Sequence, residues 1–240
     1  MRLVACLAAL LVPVGPAAAA ERTVTIGSID RLRVEGTYKV TVRTGGPAGL
    51  TIAGDRVAID AIDVRSDGGT LAIRAGAALT GGAPATRRGS GEPVTIVVST
   101  PALRSVLVIG GANVAVGPMK AAAVDLSVSG TATLRIAAVE GERLAATLIG
   151  NGGITVDTGR AGSARLVNTG GGAIDAAGVQ VGDLLARQDG AGAIRASARF
   201  TAQVVAGGLG SVTVAGAPRC TVRAPAGGSV TCGTAAGPAS

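Results

Sequence analysis

The sequence contains no histidine, which removes the side chain most often used as a general base near neutral pH and as a metal ligand. What is left for chemistry is carboxylates, Lys39, Lys120, hydroxyl groups and three cysteines. Cutting a polysaccharide on an all-β scaffold needs Asp, Lys and Arg gathered on one outer surface. Asp125, Asp157, Asp175, Asp183 and Asp189 have the right type, but they fall in different columns of the chain's repeat, so their spacing assembles no cluster. Gly170-Gly-Gly-Ala-Ile-Asp175 is a fragment of the calcium-binding nonapeptide Gly-Gly-x-Gly-x-Asp, a design that shares each ion between successive turns. Recurrence tests it, and positions equivalent to Asp175 hold Arg135, Thr155 and Arg195. Gly150-Asn-Gly and Gly190-Ala-Gly lack the strand, turn and helix that phosphate or dinucleotide binding would require. No catalytic residue, metal or cofactor is therefore expected.

The elements that would position any such group come from a repeat. A glycine is followed four residues later by an aliphatic residue at Gly110 and Val114, Gly130 and Leu134, Gly150 and Ile154, Gly170 and Ile174, and Gly190 and Ile194, in steps of twenty residues. The next copy, Gly208 with Val212, follows after eighteen. A fixed period of this size marks stacked units that cannot bury their apolar faces alone. One strand precedes each glycine (Leu126 and Val128, Ala146 and Leu148, Leu166 and Asn168, Ala186 and Gln188) and another follows it (Leu134 and Ile136, Ile154 and Val156, Ile174 and Ala176, Ile194 and Ala196). These positions share one parity and should point inward, with Arg135, Thr155, Asp175 and Arg195 outward. The fold expected is all-β, a right-handed parallel β-helix in which Gly110, Gly130, Gly150, Gly170, Gly190 and Gly208 make sharp corners at positive φ. Asn168 and Gln188 break the inward apolar rule. An amide ladder, or bonds to the corner backbone, would satisfy them.

Residues 1–20 read as a secretory signal peptide, with Arg2, an apolar run and Ala18 and Ala20 before the expected mature start at Glu21. Leu3-Val4-Ala5-Cys6 resembles a lipoprotein cleavage box but precedes the apolar run it should follow. Removing Arg2 leaves a net charge of about +6. The arginines look scattered, Tyr38 and Phe200 are the only aromatics, and Arg87-Arg88 sits in a glycine-rich loop, so nucleic acid is not an expected partner. No segment is long and apolar enough for a membrane span. Residues 21–240 read as one domain. The first turn lies at 34–42, an insertion runs over 45–101, and regular turns fill 102–232. In the insertion Ser66-Asp67-Gly68-Gly69 signals a hairpin. The segment 76–91 reads as a mobile loop, and 94–99 as a strand.

Cys220 and Cys232 are the two cysteines outside the leader, and an oxidising compartment makes their pairing the default. Cys232 falls in the inward column of Val214, and Cys220 aligns with Ala202. A disulfide there would close the last turn. A metal pair or two free thiols are the competing readings.

Taken together, Val34-Glu-Gly-Thr-Tyr-Lys-Val, Gly54-Asp55, Thr100-Pro-Ala-Leu103, Gly110-Gly-Ala-Asn-Val114, Ser129-Gly130, Gly190-Ala-Gly-Ala-Ile194 and Gly207-Gly-Leu-Gly-Ser-Val212 with Gly216-Ala-Pro218 resemble the head GIN domain family. Its members are bacterial envelope proteins that carry the name of autotransporter adhesins. The resemblance implies a secreted β-helical domain. Ile149, Thr169 and Asp189 stand where the family pattern has the serine seen here as Ser129. The expected function is that of an exported, non-enzymatic domain of the periplasm, envelope or cell surface, presenting a solenoid face to an envelope protein or glycan. A polysaccharide-active lyase or hydrolase is the alternative. Three or more Asp, Lys or Arg in one outward groove would favour the enzyme.

Overall fold

The computed structural model describes residues 20–76 and 94–234, so the signal peptide reading and nearly all of the expected 76–91 loop lie outside the described residues. The chain opens with β1 (Ala20–Val24), β2 (Arg31–Gly36), β3 (Lys39–Thr44) and β4 (Gly49–Gly54). The short helix α1 (Arg56–Asp60), β5 (Ile62–Asp67), β6 (Thr70–Ala75) and β7 (Thr95–Thr100) follow. Then come β8 (Ser105–Gly110), β9 (Asn113–Val116), β10 (Met119–Lys120), β11 (Ala123–Gly130), β12 (Thr133–Gly150), β13 (Gly153–Thr169), β14 (Ala173–Asp189), β15 (Ala193–Ala206), β16 (Ser211–Ala215), β17 (Arg219–Arg223) and β18 (Ser229–Thr234). They wind into a β-solenoid of about six turns.

Side-chain period and the need to pair every buried peptide group fix this winding. Parallel pairing sets Leu134 beside Ile154, Ile154 beside Ile174 and Ile174 beside Ile194, so the inward column is continuous. Each of these side chains is at most 1% exposed, and burying one is worth roughly 2–3 kcal/mol. The eighteen-residue step has a local cause. Ala176 pairs with Ala196, but the next pair is Gln180 with Ser197, which removes three residues; one is regained between the pairs Val181–Ala198 and Asp183–Thr201. One corner is shortened while both long strands are kept.

Each turn has three sides, where the alternation pattern suggests two. The first side ends at the corner glycine, as in 125–130, and the second follows it, as in 133–136. The third is a short segment through Met119, Val139 and Val179, all fully buried. Its buried run is too short for a period of two to register in the sequence.

The described parts of the stretch 45–101, residues 45–76 and 94–101, form the cap. β6 and β7 run parallel to β2 and β3, setting Leu71 against Leu32 and Ile96 against Val40, opposite the side where β8 and β9 stack. β5 and β6 form an antiparallel hairpin closing at Asp67 and Thr70, with Gly68 and Gly69 at positive φ. β4 is antiparallel to both β7 and β1. The buried Thr100 hydroxyl donates to the Ile29 carbonyl at 2.6 Å, tying the cap to the first turn. Helix α1 is a departure from the strand-only expectation. Its five residues are too few to show helical periodicity, and the Asp55 carboxylate caps it by accepting from the Val57 and Ala58 amides.

Candidate functional site

The inward rule is the same on the first and second sides, and the outward residues are not. On the first side the outward positions include Leu107, Ile109, Val167, Leu185 and Val205, all half-buried, and Ile149, which is 52% exposed. Beyond the cap strand β7, where Val97 is outward and half-buried, the second side carries Asn113, Thr133, Thr155, Ser211 and Thr213, small Ala and Gly, and the charges of Arg135, Asp175 and Arg195, with no Val, Leu or Ile outward. As expected, Arg135 pairs with Thr155, which pairs with Asp175, which pairs with Arg195. Arg195 lies 3.6 Å from Asp175, while Arg135 reaches Asp157 at 2.9 Å. On the third side Lys120 holds Glu140 at 3.0 Å. That hydrogen bond, the Lys120 charge and then the Arg160 charge lower the Glu140 pKa below the usual carboxylate value.

An open groove of about 630 Å³ runs along the leading edge of the first side, over the rows beginning at Ala123, Arg143, Ser163, Asp183 and Thr201. Asp125, Arg143, Arg165 and Asp183 all line it, so the gathering of charged groups that would favour an enzyme is present. The spacing of its two carboxylates does not suit a glycoside hydrolase. Asp125 and Asp183 are three turns apart in the ladder, or about 14 Å at the spacing of neighbouring strands. Glycoside hydrolysis needs two carboxyl groups roughly 5–9.5 Å apart. Asp183 is also engaged, accepting from the Thr201 hydroxyl at 2.5 Å. Asp157 and Asp175 lie on the second side and Asp189 at the far end of the first, and they are paired with Arg135, Arg195 and Arg187. Among the described residues no three His, Cys, Asp or Glu side chains gather where they could hold a metal ion.

The corner is built from backbone contact. The Gly110 carbonyl accepts the Thr131 amide at 2.9 Å and the Gly130 carbonyl accepts the Asn151 amide at 2.9 Å, continuing the ladder around the bend. Gly130 has φ +107, and a Cβ there would lie 2.6 Å from the Gly110 oxygen; Gly110, Gly150, Gly170 and Gly190 share the positive φ. Gly208 corrects the expectation. It is not among the positive-φ glycines, and what excludes a side chain there is direct overlap with the backbone of Gly190.

Asn168 and Gln188 are fully buried, as the alignment implies. The Asn168 amide donates to the Gly172 carbonyl at 2.7 Å, which is the corner bond expected, while its Oδ1 and both Gln188 amide atoms have no partner among the described residues. Room for these long side chains comes from glycines. A Cβ on Gly192 would meet the Asn168 amide, and one on Gly210 the Gln188 amide. The equivalent corner residues nearer the cap are Ala112 and Ala132.

At the far end Cys220 pairs in register with Ala202 and Cys232 with Val214. The two cysteines form a disulfide with their α-carbons 6.5 Å apart, joining the last first-side strand to the last second-side strand. Among the described residues no helix is long and apolar enough to cross a membrane.

This geometry has close structural parallels. A "putative adhesin" from Bacteroides fragilis superposes with a TM-score of 0.79 at 17% identity, covering 89% of this chain and 96% of its own. A "putative adhesin" from Parabacteroides distasonis gives 0.65 at 16% identity, with 90% and 98% covered. A "Putative lipid binding protein" from the same species gives 0.63 at 17%, with 90% and 97% covered. At such identities the likeness is one of fold. No curated protein matches the sequence. The family described as "Putative auto-transporter adhesin, head GIN domain" matches residues 29–218, and with most of the solenoid and its cap inside that match, the chain belongs to the head GIN domain family.

Proposed function

We propose that this protein is an exported, non-enzymatic envelope domain that binds a macromolecule, protein or glycan, on the first side of its solenoid. The observation that carries the reading is the outward asymmetry: six aliphatic side chains on the first side against none on the second beyond the cap strand β7. Outward positions on a solenoid are free of packing demands, and the six aliphatics stand among Ser127, Ser129, Thr147 and Thr169, a mixture of apolar and polar groups of the kind that binding interfaces use. Asp125, Arg143, Arg165 and Asp183 add a charged rim. The adhesin names carried by the family and by two structural neighbours agree with a binding role. The wide separation of Asp125 and Asp183 argues against the hydrolase alternative.

A glycan array and a pull-down from envelope extract, each run with the wild type and with Ile149→Lys, test the proposal. Binding that Ile149→Lys removes, with no shortening of any bound polysaccharide, is the expected result. Chain cleavage that Asp125→Asn abolishes would establish the enzyme instead.

A further inference from the structure

Charge is unevenly spread along the solenoid axis. After Asp189 the sequence carries Arg195, Arg199, Arg219 and Arg223 and not one acidic residue. Arg195 is held by Asp175 on the second side, whereas among the described residues Arg199, Arg219 and Arg223 have no carboxylate within salt-bridge reach. The fold places these three in the last two described turns. β17 stacks Arg219 on Thr201 and Arg223 on Val205. Arg199 lies in β15, one turn earlier and two residues before Thr201, its guanidinium 5.2 Å from the Phe200 ring centroid.

Apolar groups stand out at the same end. Phe200 is 57% exposed, Leu209 is 79% exposed at the next corner of that turn, and Val222, which continues the core column of Val204, is 43% exposed. No described strand lies on β17 and β18, in contrast to the other end, which the cap covers. A second copy stacked on this end in two-fold symmetry would set uncompensated arginines against their own kind. A soluble polyanion would answer the charge but leave Phe200 and Leu209 in water. An anionic lipid surface answers both, since interfacial binding adds apolar burial to attraction by headgroup phosphates.

We infer that the C-terminal end of the solenoid docks on a membrane surface bearing anionic lipids, with Arg199, Arg219 and Arg223 at the headgroups and Phe200 and Leu209 in the interface. The solenoid then stands off the bilayer with its cap outermost and its long sides free. Flotation of the exported protein with vesicles of phosphatidylglycerol and phosphatidylcholine, against vesicles of phosphatidylcholine alone, tests this.

The expected result is flotation with the anionic vesicles only, weakened by salt. The triple variant R199A/R219A/R223A should lower partitioning roughly a hundredfold, about fivefold per arginine, with no change in Tm. The double variant F200S/L209S should weaken vesicle binding and leave binding to dextran sulfate unchanged. Equal flotation with both vesicle types, or a triple variant that floats like the wild type, would overturn the inference. So would vesicle binding indifferent to F200S/L209S, which would mark a general anion site, or a lipid-free dimer that these variants dissociate. Arg219 and Arg223 extend the first-side columns of Thr201 and Val205, so Ile149→Lys is the separating control: it should float like the wild type while losing the binding proposed for the first side, and the two readings then fail separately.

Discussion

Ile149 and Thr155 lie six residues apart on either side of the Gly150 corner, and both point outward, one on the first side of the solenoid and one on the second. Their inward neighbours, Leu148 and Ile154, are both fully buried. The difference between the two sides is therefore not a difference in folding. Both sides pay for their inner residues through the same core, so the outer residues are set by what meets the surface. The second side keeps the Thr, Ser, Ala and paired charges of a solvated sheet. The first keeps aliphatics that folding does not require.

The sharpest way to break the comparison is to attack the core that the two sides share. Ile174→Asp on the second side and Leu166→Asp on the first should each cost more than about 4 kcal/mol, since each puts an unpaired charge into a buried apolar column. Chemical denaturation checks both; a large loss from one and none from the other would mean that the sides do not share a core. Next in size is the covalent link between them. Cys232→Ser should cost about 3 kcal/mol through the short loop that the disulfide closes, and hydrogen exchange should rise first in β17 and β18, with the cap unaffected.

Smaller effects sharpen the contrast at the surface. Asp175→Ala should cost under about 1 kcal/mol, because the Arg195 pair is exposed and loose; a loss of several kcal/mol would mean that the second side packs against something. The smallest effect expected is on the third side. Glu140 has a folded pKa lowered by Lys120, so its contribution is present above the unfolded carboxylate pKa and is lost as pH falls through the lowered value. Above that acidic window Lys120→Ala should have a slightly lower Tm than the wild type, and below it the two should match, so the variant's Tm-against-pH curve is flatter through the window.

Much of this arrangement is legible in the residues. The twenty-residue step gives the stacking of Leu134, Ile154, Ile174 and Ile194, and the alternation around it gives which side chains point in, including Asn168 and Gln188. The disulfide follows from two cysteines that fall in adjacent inward columns. The cap is harder to read because β4 to β7 mix parallel and antiparallel pairing, which a period cannot encode. The third side escapes because its buried run is too short to alternate. Gly208 looks like its predecessors by spacing, yet the shortened corner before it changes its backbone, and only its close approach to Gly190 still demands glycine. Arg199, Arg219 and Arg223 look scattered along the chain until β17 stacks on β15. The first-side groove gathers Asp125, Arg143, Arg165 and Asp183 for the same reason: stacking adds turns that sequence distance separates.

The central claim is that the first side is the binding side, and binding of the labelled protein to isolated cell envelopes tests it directly. Ile149→Lys and Thr155→Lys add the same charge within a few residues of one corner, on opposite sides, and should leave Tm nearly equal. The account predicts that Ile149→Lys abolishes envelope binding and Thr155→Lys does not. Equal binding by the two variants, or loss confined to Thr155→Lys, would contradict it.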